Sequence, residues 1–165
     1  MPVKNALLQI ANRLALLQAI RTALAAVTSL SIAHLFKMPE VYWAAITTII
    51  VMQSTLGAAW DTSKQRLIGT ALGAAGGAFL SSYFQPGATG IATFGLALFI
   101  LGLICGICRF EQAAYKFAGI TLALVLLIPK TLSPWVIGMH RFFEVSLGIS
   151  IALLFSALWP QAEKK

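Results

Sequence analysis

Six apolar stretches, set apart by prolines and single charges, constrain this chain more than any other feature. They run over Leu14–Phe36, Val41–Trp60, Leu67–Phe84, Ala88–Cys108, Gln112–Pro129 and Phe142–Trp159. A helix crossing the bilayer core needs about 20 mostly apolar residues. Four stretches meet that outright; the first carries Gln18 and Arg21 in its opening turns, and Lys116 shortens the fifth. Pro39, Pro86, Pro129, Pro134 and Pro160 fall at or beyond the ends, where a missing N–H matters least. Tyr42, Trp43, Trp60, Tyr83, Phe84, Tyr115, Trp135 and Trp159 gather near the same ends, the headgroup depth favoured by aromatic residues. Composition agrees: charged residues make up 10% of the chain, against roughly 25% in soluble domains. The expectation is an all-α integral membrane protein, one membrane domain over residues 1–165 with six transmembrane helices.

Basic residues set the expected orientation. With the N-terminus in the cytoplasm, Lys4, Arg13, Arg21, Lys64, Arg66, Arg109, Lys116, Lys164 and Lys165 lie inside. Lys37, Lys130 and Arg141 lie outside. Both termini are therefore expected in the cytoplasm, with residues 4–20 as an interfacial amphipathic lead-in. The polar residues of this segment (Asn5, Gln9, Asn12 and Arg13) leave no clean apolar core for a cleaved leader. The net charge of +7 is scattered singly between apolar runs, which argues against a nucleic-acid surface. Cys105 and Cys108 form a lone CxxC without a second pair or nearby histidine, and are read as small membrane residues. Neither HExxH nor GxSxG nor a phosphate-binding glycine loop is present, so no enzyme, metal or cofactor is expected.

Two stretches 75 residues apart echo one another. "RLIGTALGAAGGAFLSSYF" begins at Arg66 and "RFFEVSLGISIALLFSALW" at Arg141; Leu72-Gly73 matches Leu147-Gly148, and Trp60 matches Trp135. With a shift of one residue, "AAITT" at 44–48 matches "AGITL" at 118–122. Three spans per unit is an odd number, so the second unit would enter from the opposite side. Two inverted three-helix repeats, about 14–84 and 88–159, are expected, with a substrate site between them. Polar breaks at 52–57 ("MQSTLG") and 128–134 ("IPKTLSP") end the middle helix of each unit.

Within this frame some residues stand out. Gly69, Gly73 and Gly77 recur every four residues, and Gly102 and Gly106 repeat the spacing; with Gly148 they are expected to bring helix backbones close, within the chain or across a homodimer seam. Arg21, Arg66 and Arg141 each lie near the expected start of a span. There they would either snorkel to headgroups or, beside helix N-terminal ends, line an anion path with Thr47 and Gln53. Tyr42 and Trp43 are interfacial or would stack on an aromatic ligand. Glu144, three residues after Arg141, would neutralise it or carry a proton, assisted by His140.

"RTALA" at 21–25, "YWAAITTIIVMQSTLG" at 42–57, "QRLIGTALGAAGG" at 65–77 and "RFFEVSLGI" at 141–149 resemble the membrane domain of the fusaric acid resistance family. That group includes bacterial aromatic acid exporters and is distantly similar to plant malate channels. The resemblance implies a multi-pass protein of the bacterial inner membrane that exports small organic anions, using the proton gradient. It carries Arg21, Arg66, Arg141 and Glu144 over as functional positions. Larger members resemble two membrane halves with a cytoplasmic domain, and a homodimer would restore the second half here. The competing expectation is a non-transporting membrane subunit that packs through its glycine faces.

Overall fold

A computed structural model describes residues 2–83, 88–128 and 132–159. Among these the chain is all helical: α1 (Pro2–Leu35), α2 (Tyr42–Val51), α3 (Leu56–Tyr83), α4 (Ala88–Ile107), α5 (Gln112–Leu127) and α6 (Pro134–Leu158). Ala15–Leu35, Gly90–Ile107 and Pro134–Leu158 are long and apolar enough to cross a membrane. The expected links 84–87 and 129–131, the latter inside the second polar break, and the tail 160–165 lie outside the described residues.

Boundaries differ from expectation in three places. The lead-in and the first span form one continuous helix, α1. The expected span Val41–Trp60 is split at Met52, whose ψ of 99° ends α2 after 10 residues. Such a helix is about 15 Å long, half the hydrocarbon thickness of about 30 Å. Leu56–Trp60 instead opens α3, and Asp61–Arg66 continues it, because the Ala, Lys, Gln and Arg of this run are good helix formers. Arg66 therefore lies three turns inside α3, not at its start. Lys116 does not interrupt α5, which runs unbroken for 16 residues.

The first helix of each group of three ends in the same way. Lys37 and Arg109 adopt φ of 52° and 54°. Met38 N–H donates to Ala33 O (3.1 Å) and Phe110 N–H to Cys105 O (2.9 Å). These are Schellman closures with a basic residue in the left-handed position.

Packing centres on α3 and α6. The two helices lie against each other, α5 covers α3, α2 covers α6, and α1 packs on α2 and α6 while α4 packs on α5. The α3–α5 and α2–α6 contacts have one pattern. A Cβ on Gly73 would run into Ala118 O and, at 2.8 Å, the Cβ of Thr121. A Cβ on Gly148 would run into Ala44 O and, at 2.8 Å, the Cβ of Thr47. Gly69 meets Ala114 O and Phe117, and Gly77 meets Val125, so all three glycines of that stripe face α5 inside the chain. Gly102 and Gly106 do not form a second such face: Gly102 meets the Tyr115 ring at 3.3 Å, while Gly106 has open space. Apolar side chains fill around these crossings, with Ala25, Val51, Val145, Ile149 and Ala152 in one cluster and Ala97, Leu101, Ala118 and Leu122 in another. Outward side chains such as Leu96, Phe99 and Ile107 are exposed, as a lipid-facing surface requires.

Without room for a Cβ, Gly73→Val and Gly148→Val are expected to destabilise the fold by roughly 1–3 kcal/mol each, the range for overpacking. Gly57→Ala, where nothing lies within 4 Å, is expected to be neutral or slightly stabilising. Thermal unfolding in detergent, followed by size-exclusion chromatography, checks all three.

Candidate functional site

Three arginines are buried in the helix bundle: Arg21 (1% exposed), Arg66 (3%) and Arg141 (3%). A buried charge needs compensation, because desolvation costs several kcal/mol after relaxation. The chain compensates each one differently.

Arg21, on α1, is held by backbone carbonyls. Its Nη1 donates to Trp159 O (2.8 Å) at the end of α6, and its Nη2 donates to Gln53 O just past the end of α2. A helix C-terminus carries about half a negative charge, so two of them together offset one cation. Arg21 was expected near a helix start, attracting a carboxylate; it sits well inside α1 and braces two helix ends. Gln53, expected on the anion path, is fixed at the same junction, with its Nε2 donating to Ile50 O (3.0 Å).

Arg141, on α6, is compensated by carboxylates. Its Nη1 pairs with Glu144 Oε2 (3.3 Å) and its Nη2 with Glu40 Oε2. Glu40 also donates its backbone N–H to Glu144 Oε1 (3.0 Å), which ties the α1–α2 loop to α6. Trp43 lies under the guanidinium, 4.6 Å from the ring centroid, and donates its indole N–H to Glu40 Oε2 (3.2 Å). Tyr42 OH donates to the same oxygen (3.1 Å). The polar groups of the two aromatic residues thus serve Glu40. A cavity of about 50 Å³ borders this cluster, lined by Pro39, Glu40, His140, Arg141 and Glu144. It has room for about one water.

Arg66, on α3, has neither kind of compensation. Among the described residues no carboxylate pairs with it. Its Nη2 reaches Thr47 Oγ1 at 3.4 Å, a long contact, and its guanidinium lies 4.6 Å from the centroid of the Phe117 ring. Its Nε, like that of Arg21, has no partner, and neither has the hydroxyl of Thr70, one turn further along α3 and 1% exposed. Arg66 over Phe117 repeats Arg141 over Trp43, at sequence offsets of 75 and 74 residues. The position matching Glu144, however, is Gly69, and it is filled by the backbone of α5.

The remaining candidates lie apart from this arrangement. Cys105 is buried and Cys108 exposed, both as free thiols. Among the described residues no cluster of His, Cys, Asp or Glu could hold a metal ion. A groove of about 590 Å³ between α3, α4 and α5 is lined by Phe79, Leu96, Ile100 and Leu122 and touches none of the arginines.

The family described as fusaric acid resistance protein-like matches residues 25–155 of the 165. The chain belongs to this family. The fusaric acid resistance protein-like family is one of membrane transport, not catalysis, and its members contact the lipid bilayer. The match takes in all the described residues of the Arg66 and Arg141 clusters; of the partners of Arg21 it includes Gln53 but neither Arg21 itself nor Trp159. No curated protein and no solved structure matches the chain.

Sequence reading missed Glu40 and Phe117, and gave Thr70 no role beyond its place in the family-like run Arg66, Gly69, Thr70, Gly73. Glu40 stands in a loop between apolar segments, yet it is one of only five acidic residues and directly precedes Val41-Tyr42-Trp43. Phe117 was within reach of the internal echo, since the shift that aligns Ala44 with Ala118 also aligns Trp43 with Phe117. Thr70 belongs to the Arg-x-x-Gly-Thr-x-x-Gly run at 66–73 that resembles the family, and that run is its signal.

Arg21→Met removes two charge-assisted bonds and is expected to lower stability by roughly 2–4 kcal/mol. Arg21→Lys is expected to restore little of it, since one ammonium cannot bridge two separated carbonyls as a guanidinium does. Melting temperatures of the purified variants decide this, and equal melting of wild type and Arg21→Met would remove the bracing role.

Proposed function

We propose that this chain is a multi-pass carrier of the bacterial inner membrane that exports organic carboxylates, aromatic acids among them, in exchange for protons. One observation carries the reading: Arg66 is a cation buried in a bundle of apolar helices, and among the described residues no carboxylate pairs with it. A charge left in that state in a transport protein is poised for an anionic cargo. Arg66 and Thr47 form the substrate side of the site. The Glu40–Arg141–Glu144 cluster forms the proton-coupled gate, with His140 as the route from its small cavity.

The architecture in this reading is two inverted repeats over 14–84 and 88–159, with both termini in the cytoplasm and a homodimer as the working form. Support for the repeats comes from the paired contacts: Gly73 on Ala118 and Thr121, Gly148 on Ala44 and Thr47, and each arginine over its aromatic ring. Support for the orientation comes from the basic residues other than the three buried arginines: Lys4, Arg13, Lys64, Arg109, Lys116, Lys164 and Lys165 are placed inside, against Lys37 and Lys130 outside. The half-length α2 and its extended exit at 52–55 stand where discontinuous helices place transporter sites, beside the repeat interface.

Proteoliposomes loaded with labelled benzoate test the reading. The wild type is expected to release it faster than protein-free vesicles, with an inward proton gradient accelerating release. Glu144→Gln is expected to abolish that acceleration. Background flux by the wild type for every carboxylate tested would assign the chain to a non-transporting subunit instead.

A further inference from the structure

Hydroxyls inside these helices have a default partner. Thr28, Thr48, Ser63, Ser82 and Thr121 each donate to the carbonyl four residues earlier. Thr70 does not, and neither does Ser29 on α1; at Thr70 the carbonyl of Arg66 stands four residues earlier, and Thr70 is 1% exposed. Residues at i and i+4 are neighbours on one helix face, and long side chains on a helix lean back toward its N-terminus. The idle Thr70 hydroxyl and the idle Arg66 Nε–H therefore belong to one patch, at mid-length of α3 (Leu56–Tyr83). Both can donate, and both are buried.

We propose that Arg66 and Thr70 form a seat for a single carboxylate group, and that the seat selects monoanions over dianions. This rests on the transport reading above and adds its donors and its charge rule. One carboxylate oxygen takes the Nε–H of Arg66, and the other takes the Thr70 hydroxyl. The long Thr47 contact at 3.4 Å gives way, and the sparse contact between α2 and α3 opens the seat. The charge rule follows from counting partners. Arg21 is offset by two helix ends and Arg141 pairs with two carboxylates, so Arg66 is the cation left to an incoming ligand among the three. A second carboxylate on the same ligand would be buried unpaired, which is strongly unfavourable. Gly69 and Ala114 shape the seat further: their contact closes the place that Glu144 fills beside Arg141, so among the described residues no side chain competes for Arg66 there.

Calorimetric titration of the purified full-length protein with benzoate, benzamide and phthalate tests the seat. Wild type is expected to bind one benzoate per chain. Benzamide, which is neutral, and phthalate, which carries two carboxylates, are each expected to bind about a hundredfold more weakly or worse. Thr70→Val is expected to weaken benzoate about tenfold, Thr70→Ser to restore it, and Arg66→Lys to weaken it more than tenfold by losing the directed Nε–H. Ser63→Ala, a change to a hydroxyl already bonded to Ala59, is expected to bind as wild type. Matching elution of all variants on size exclusion establishes that they fold. Wild-type affinity in both Thr70→Val and Arg66→Lys would overturn the seat while leaving transport standing. Phthalate bound as tightly as benzoate would overturn the charge rule. Failure of the wild type to bind any carboxylate would bring down the transport reading itself.

Discussion

A carbonyl oxygen pressed against a helical Cα that bears no side chain is the contact on which the rest of this bundle depends. It occurs at Gly73 against Ala118 and again at Gly148 against Ala44. In lipid there is little hydrophobic drive between helices, so close packing has to come from small residues and van der Waals contact. These two approaches fix α5 on α3 and α2 on α6. They also carry Phe117 and Trp43 to their arginines, because each ring immediately precedes the contacting alanine in the sequence. Replacing either glycine would therefore move an aromatic lid as well as a helix.

The two halves share contacts and differ in charge. On the α6 side, Glu144 and the loop residue Glu40 surround Arg141, and the hydrogen bond from Glu40 N–H to Glu144 fastens loop to helix. On the α3 side, the matching helix position is Gly69. The acid that precedes α5, Glu111, is drawn to Gln65 and not to Arg66. The longer α5 explains this, since it begins about one turn earlier relative to its ring than α2 does. In one half the arginine is thereby paired within the protein; in the other it has no carboxylate partner among the described residues.

Much of this was legible in the sequence, in proportion to how local the cause was. Helices, their number and the glycine stripe facing a neighbour follow from apolar content and four-residue spacing. The break after Val51 was visible as the polar run "MQST", but run length alone placed it at the end of a full span. Arg21 could be recognised as unusual, yet its partners are backbone carbonyls 32 and 138 residues away, and any residue type provides a carbonyl. Glu40 was hidden because a search confined to apolar segments passes over the loops. The difference between Arg66 and Arg141 needed the helix register, since it turns on a glycine standing where the other half has a glutamate.

The solitary charge on Arg66 also has an electrical meaning. An empty seat carries one positive charge; a seat holding a monocarboxylate carries none. A membrane potential acts on charge in transit, by about 2.3 kcal/mol per elementary charge per 100 mV. The loaded seat is thus electrically silent, and voltage acts on the empty one. Under the proposed transport cycle, a potential that is negative inside would draw the empty seat toward the cytoplasm, the side from which a carboxylate for export would be collected.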